Sequence, residues 1–214
     1  MNRANSRQRI LSSAIEVFAK KGKHRATIKE IATKAGVSKS LLYRNYHTKN
    51  DLHREVLEVL IEKAFQQFEK AVVPSEVAAD HVQAFVRFAS ASLDMFFQNP
   101  HFAKIVLYAM VEEPGEFLSM ARKVKSRVGG AKRAAFEALL QNPGVGAPAK
   151  GLVGVNSGHL LTILVGMNLT YLLGKPIAET FLGMKVTDER ALLDVIKRNV
   201  LDLWTYGISK GDCG

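Results

Sequence analysis

Residues 27–52, TIKEIATKAGVSKSLLYRNYHTKNDL, constrain the fold more than any other stretch of this chain. Thr27 offers a hydroxyl just ahead of an apolar run, and Glu30 follows three residues later. That spacing is a capping box, in which each side chain accepts the other residue's backbone amide and so sets a helix start. Gly36 suits a left-handed turn residue, a conformation that a side chain makes costly. Ser38 caps the next helix. Ile28, Ile31, Ala32 and Ala35 face inward on the first helix, and Leu41, Leu42 and Tyr46 anchor the second. Lys39, Ser40, Tyr43, Arg44 and Asn45 are left to point outward. A short, basic helix held across a tight turn is what reading a DNA major groove requires.

Charge points the same way. Residues 1–54 hold 13 Lys and Arg against 3 Asp and Glu, so this quarter carries the whole net charge of +10. The remaining residues hold 17 of each sign. Such a partition implies a polyanion facing the N-terminal quarter, nucleic acid first and a membrane surface as the rival.

The rest of the chain reads as helices between breakers. A stripe of Ile10, Leu11, Ala14, Ile15, Val17 and Phe18 makes residues 4–21 helical, with Gly22 as the stop. These first three helices form a unit of about 50 residues. Helices are then expected at 48–71, closed by Pro74, at 76–98, closed by Asn99-Pro100, and at 101–112, closed by Pro114. The exposed face of the 48–71 helix pairs Glu58 with Glu62 and Lys63. Residues 115–141 form a further, basic helix, weakened at Gly129-Gly130. Residues 142–150 and 175–187 are loops. No strand-like alternation of useful length is visible, so the class is all-α with about nine helices. The expected domains are a helix-turn-helix unit at 1–50 and a helical effector-binding and dimerisation domain at 51–214.

From Gly151 to Gly174 there is no charged residue. Asn156, Ser157, His159 and Asn168 interrupt the run, which argues against a membrane span. A helix apolar nearly all round must be buried on several sides, and a second copy of the chain can supply the cover. Leu160, Leu164 and Met167 are its candidate interface residues. The final helix, 188–207, adds Leu192, Val195, Ile196, Asn199, Val200, Leu203 and Trp204. Two such helices per subunit make a four-helix dimer interface.

Thr27, Ile31-Ala32, Ala35-Gly36-Val37-Ser38, Leu42-Tyr43, Tyr46, Lys49 and Leu52 resemble the signature of TetR-type transcriptional regulators. The likeness covers roughly the first 55 residues. It departs at Leu41, where a small or hydroxyl residue is frequent, and at Tyr46, where Phe is commoner. The resemblance implies a homodimer on a near-palindromic operator and a C-terminal ligand pocket that releases DNA when filled. It places phosphate contacts at Thr27, Tyr43 and Lys49. Base-facing positions fall at Lys39, Ser40 and Asn45, with Arg44 beside them, and Lys29 and Ser38 complete the DNA-facing set. The chemistry agrees: Lys39 can donate to guanine and Asn45 can pair with adenine.

Catalytic and metal signatures are missing from the sequence. The six histidines have no metal-ligand spacing, and the one cysteine, Cys213, lies near the end of the sequence. Glu112-Glu113 adjoin Pro114 and read as a solvated turn. Candidate pocket residues are Phe65, His81, Phe85, Phe88, Phe96, Tyr108, Met110, Phe117, Met120, Asn168 and Tyr171, an apolar set with a few polar points. The basic run 122–133 reads either as an anionic head-group site or as a solvated face. The expectation is a cytoplasmic, dimeric, sequence-specific DNA-binding transcriptional regulator. It acts as a repressor released from its double-stranded operator by a small apolar or amphipathic ligand, with no cofactor, metal or membrane partner. The alternative is a DNA-bound architectural or protein-recruiting factor without an effector.

Overall fold

The structure is a computed structural model that describes residues 3–75 and 81–127, with a few helical positions between 134 and 198. Among the described residues seven helices have defined bounds: α1 (Arg3–Arg25), α2 (Ile28–Ala35), α3 (Lys39–Asn45), α4 (Lys49–Ala71), α5 (His81–Gln98), α6 (Pro100–Glu112) and α7 (Pro114–Arg127). No strand occurs among the described residues, and the fold is all-α. The count of about nine is not reached there, because the helices expected at 151–174 and 188–207 lie outside the description apart from isolated helical positions. The helix expected at 115–141 starts at Pro114 and is described only as far as Arg127.

Residues Met1–Phe65 and Asn99–Arg127 form one compact unit, and Gln66–Gln98 with Val128–Gly214 form another. The contacts therefore gather α6 and α7 with the helix-turn-helix, whereas the sequence pattern suggests a boundary near residue 50.

The first unit is built on α1, which packs against α2 and α6. Its buried stripe of Ile10, Ala14 and Phe18 meets a core that includes Ile31, Leu42, Leu52, Val56, Leu57 and Ile105. Each large side chain of this kind contributes about 1.5–3 kcal/mol on burial. Gly22 does break the helical geometry of α1, at φ 72 and ψ 167. In the second unit, the rings of Phe68 and Phe88 meet at 5.1 Å, and Leu93 and Phe96 are buried.

Ion pairs tie α4 to α7. Arg127 and Lys123 both reach Glu58, and Arg127 also reaches Glu62. This overturns the expected pairing of Glu58 with Glu62 and Lys63 along one helix. It also gives part of the basic run a third role, as a clamp between helices. These pairs are largely exposed, so each is worth only about 0–1 kcal/mol.

A more buried polar cluster joins the end of α1, α4 and the α6–α7 junction. Lys23, with a side chain only 8 % exposed, pairs with Glu113. The Lys23 hydrogen bond holds the Glu113 carboxyl below its usual value. His24 lies 3.6 Å from Glu112, and Arg54 pairs with Glu116. The reading of Glu112-Glu113 as a solvated turn is therefore wrong for Glu113. Its partner is 90 positions away in sequence, beyond the reach of local pattern. His53 lies in the same cluster, with its ring edge-on to Phe18 at 5.0 Å. Burial pushes the His53 imidazole down to about 4.

Candidate nucleic-acid interface

The turn is built as the sequence suggests. The Thr27 hydroxyl accepts the Glu30 amide at 3.2 Å, and the Glu30 carboxylate accepts the Thr27 amide at 3.1 Å. Gly36 sits at φ 61 and ψ 40 and hands its amide back to the end of α2. Arg9 closes over the turn, donating to the Gly36 carbonyl at 3.2 Å. Ser38 Oγ accepts the Leu41 amide at 3.1 Å and starts α3.

Two residues hold α3 down. Leu42 is fully buried and Tyr46 nearly so. Arg7 stands 5.9 Å above the Tyr46 ring and forms a two-bond pair with Glu55, at 3.0 and 2.6 Å. Burial pushes the Tyr46 phenol up to about 12. With that face anchored, α3 presents Lys39, Ser40, Tyr43 and Arg44 to solvent. Tyr43 is 48 % exposed, an outlay of aromatic surface that packing does not explain.

Three expected contact residues carry local duties as well. Asn45 donates to the Leu41 carbonyl at 2.7 Å, which leaves its amide oxygen and second N–H for another partner. Lys49 donates to the carbonyls of His24 and Ala26 at 3.1 and 3.0 Å, so two of its three hydrogens bind α4 to the α1–α2 junction. The Thr27 hydroxyl also donates to Glu30, at 3.0 Å. A phosphate contact by that hydroxyl requires Glu30 to yield. Lys29 is exposed on the first turn of α2, and Ser40 lies 3.0 Å from the Ser38 hydroxyl.

An open groove of about 950 Å³ is walled by α2 and α6, with α1 as its floor. It is lined by Glu16, Lys20, Lys21, Thr27, Lys29, Lys34, His101 and Lys104, among others. Sequence reading found Thr27 and Lys29 but missed the rest, whose spacing in the chain carries no periodic signal.

Of the candidate pocket residues, Phe88 and Phe96 are core residues of the second unit. Phe65, Tyr108, Met110, Phe117 and Met120 belong to the first, with Met110 exposed. The side chains of His81 and Phe85, together with Asn168 and Tyr171, lie outside the described residues. So do the interface candidates Leu160, Leu164, Met167, Leu192, Val195, Ile196, Asn199, Val200, Leu203 and Trp204. Among the described residues there is no group of metal-ligating side chains, and no helix is long and apolar enough to cross a membrane.

The family model described as bacterial regulatory proteins, tetR family, matches residues 10–56, the span from the core of α1 into α4. The HTH-type transcriptional regulator TtgW of Pseudomonas putida is 31% identical over 112 residues, covering 51% of this chain and 78% of that protein. The chain belongs to the TetR family of transcriptional regulators. It is also 26% identical over 160 residues to the HTH-type transcriptional activator FasR of Mycolicibacterium smegmatis, covering 72% of this chain and 67% of that one. Its fold is shared with the transcriptional regulator FadR of Bacillus subtilis, solved in complex with stearoyl-CoA. The TM-score is 0.63, at 14% identity over 94% of this chain and 98% of that one. The helix-turn-helix of this TetR-family chain is thus a DNA-binding element of a transcription regulator.

Proposed function

We propose that this regulator works as a homodimer that represses transcription from a near-palindromic operator and leaves it when a small amphipathic ligand binds. The observation that carries the reading is the exposed face of α3, with Lys39, Ser40, Tyr43 and Arg44 outward over buried Leu42 and Tyr46. Lys39, Ser40 and Arg44 read base edges, with Asn45 adding its remaining amide atoms. Tyr43, Lys29 and Lys49, with Thr27 and Ser38 at the helix starts, position the unit on the backbone. The partner copy is recruited by residues 151–174 and 188–207.

The apolar residues between 55 and 175, and the similarly folded FadR solved with stearoyl-CoA, support this effector class. A long acyl chain with a charged head is the ligand to try first. Helix α4 leaves the helix-turn-helix and continues into the second compact unit. Ligand-driven movement of α4 would reset the spacing of two reading helices, which must match half-sites about 34–36 Å apart.

Selection of bound DNA from a random pool at stated salt tests the core of this reading. A palindromic consensus is expected, and recovery of random sequence would refute it. On that consensus, Tyr43→Ala should weaken binding to all sequences alike. Lys39→Ala should relax preference at one base position by about 1–3 kcal/mol. Stearoyl-CoA should then raise the melting temperature and lower operator affinity.

A further inference from the structure

The groove between α2 and α6 is strongly basic, and the helix-turn-helix does not account for all of it. Lys21 and Lys34 are matched by Glu30 and Glu16. Lys20, Lys29 and Lys104 have no ion-pair partner among the described residues, and all three are exposed. They come from three different helices, so the charge is spread over the floor and both walls. Thr27 and Lys29, at the start of α2, belong both to this groove and to the expected phosphate-facing set.

We propose that the groove is a track for the phosphate backbone of DNA flanking the operator, so that α6 extends the DNA contact beyond the helix-turn-helix. This rests on the DNA-binding reading above. Three features of the lining select the occupant. Its apolar side chains are only Val17 and Ala19, with no Phe, Tyr or Trp to hold a lipid chain or stack a base. The unmatched charges are mobile lysine heads on separate helices. A compact anion is bound by converging backbone amides or forked guanidinium groups, whereas dispersed lysines suit a line of phosphates. Finally, the groove is continuous with the start of α2, where phosphate contact is already expected.

The test compares two duplexes carrying the same selected operator. One ends at the half-sites, and the other extends about one helical turn further on each side. The protein should bind the longer duplex more tightly, with a steeper dependence of log affinity on log salt, by about 0.9 for each extra phosphate neutralised. The double variant Lys20→Gln, Lys104→Gln should lose that difference, with a salt slope shallower by about 2 per protomer on the long duplex. Its binding to the short duplex should be unchanged. Lys63→Gln with Lys70→Gln removes the same charge from the exposed side of α4 and should keep the length dependence.

Equal salt slopes on the two duplexes for the unmodified protein would overturn the proposal while leaving operator reading intact. So would equal losses by both double variants, which would reduce the effect to net charge. A variant weakened on both duplexes alike would place Lys20 and Lys104 at the core operator and overturn it too. Failure to bind either duplex would remove the DNA reading and the groove with it.

Discussion

His53 should make this fold acid-sensitive well above the range in which its carboxylates titrate. The imidazole is 3 % exposed, and its Nδ1 has no hydrogen-bond partner. Lys23, His24, Glu113 and Glu116 surround it electrostatically, but burial dominates and brings its value down to about 4. An unfolded histidine titrates near 6.5. Between those two values the unfolded chain holds a proton that the folded chain refuses, so stability falls as pH falls. The slope approaches 1.36 kcal/mol per pH unit inside the window, and integration from pH 7 to pH 5 gives a loss of about 2 kcal/mol. Below about pH 4 both states are protonated and this contribution levels off.

Glu113 behaves differently. Its depressed carboxyl contributes stability above the ordinary carboxylate value and loses it as pH falls through the lower, folded value. That loss begins where the histidine window is closing, so the two are separable. The assay is urea unfolding at intervals from pH 7 to pH 5, followed by far-UV circular dichroism. His53→Leu should change the absolute stability through lost contact with Phe18, yet it should remove about 2 kcal/mol of the pH-dependent loss. If the variant and the parent lose the same amount over that range, His53 is not held neutral and the argument fails.

The Lys23–Glu113 pair should be costly to break and cheap to replace. Glu113→Ala leaves a nearly buried ammonium without its partner and should destabilise by about 3–5 kcal/mol, while Lys23→Met with Glu113→Leu should recover most of that loss; thermal unfolding of the single and double variants checks both. At Gly36, where φ is +61, an added Cβ would collide with Arg9 Nη2. Gly36→Ala should therefore cost about 1–2 kcal/mol from the left-handed backbone alone. It should also weaken operator binding by displacing the turn, whereas unchanged binding in a gel-shift titration would show that Arg9 moves aside freely.

The helix starts at Thr27 and Ser38, the turn at Gly36 and the start of α6 at Pro100 were legible because each depends on residues within four positions of one another. Exposure of Tyr43 was legible for a related reason, since Leu42 and Tyr46 define the buried side of a helix only seven residues long. The second duties of Lys49 and Asn45 were not. A sequence shows which donors a residue owns, but it does not show which carbonyl will lie within 3 Å of them.

By itself the sequence determined the helical class, the two helix starts around the Gly36 turn and the concentration of charge in the first 54 residues. These follow from backbone preference, side-chain periodicity and composition, all short-ranged or additive along the chain. Tertiary structure alone decided that Lys23 finds Glu113, that His53 is buried, and that Arg127 crosses 69 positions to reach Glu58. It also decided that lysines from α1, α2 and α6 share one groove. Those outcomes depend on how whole helices pack, and helix packing is set by the summed shape of many side chains rather than by any one of them.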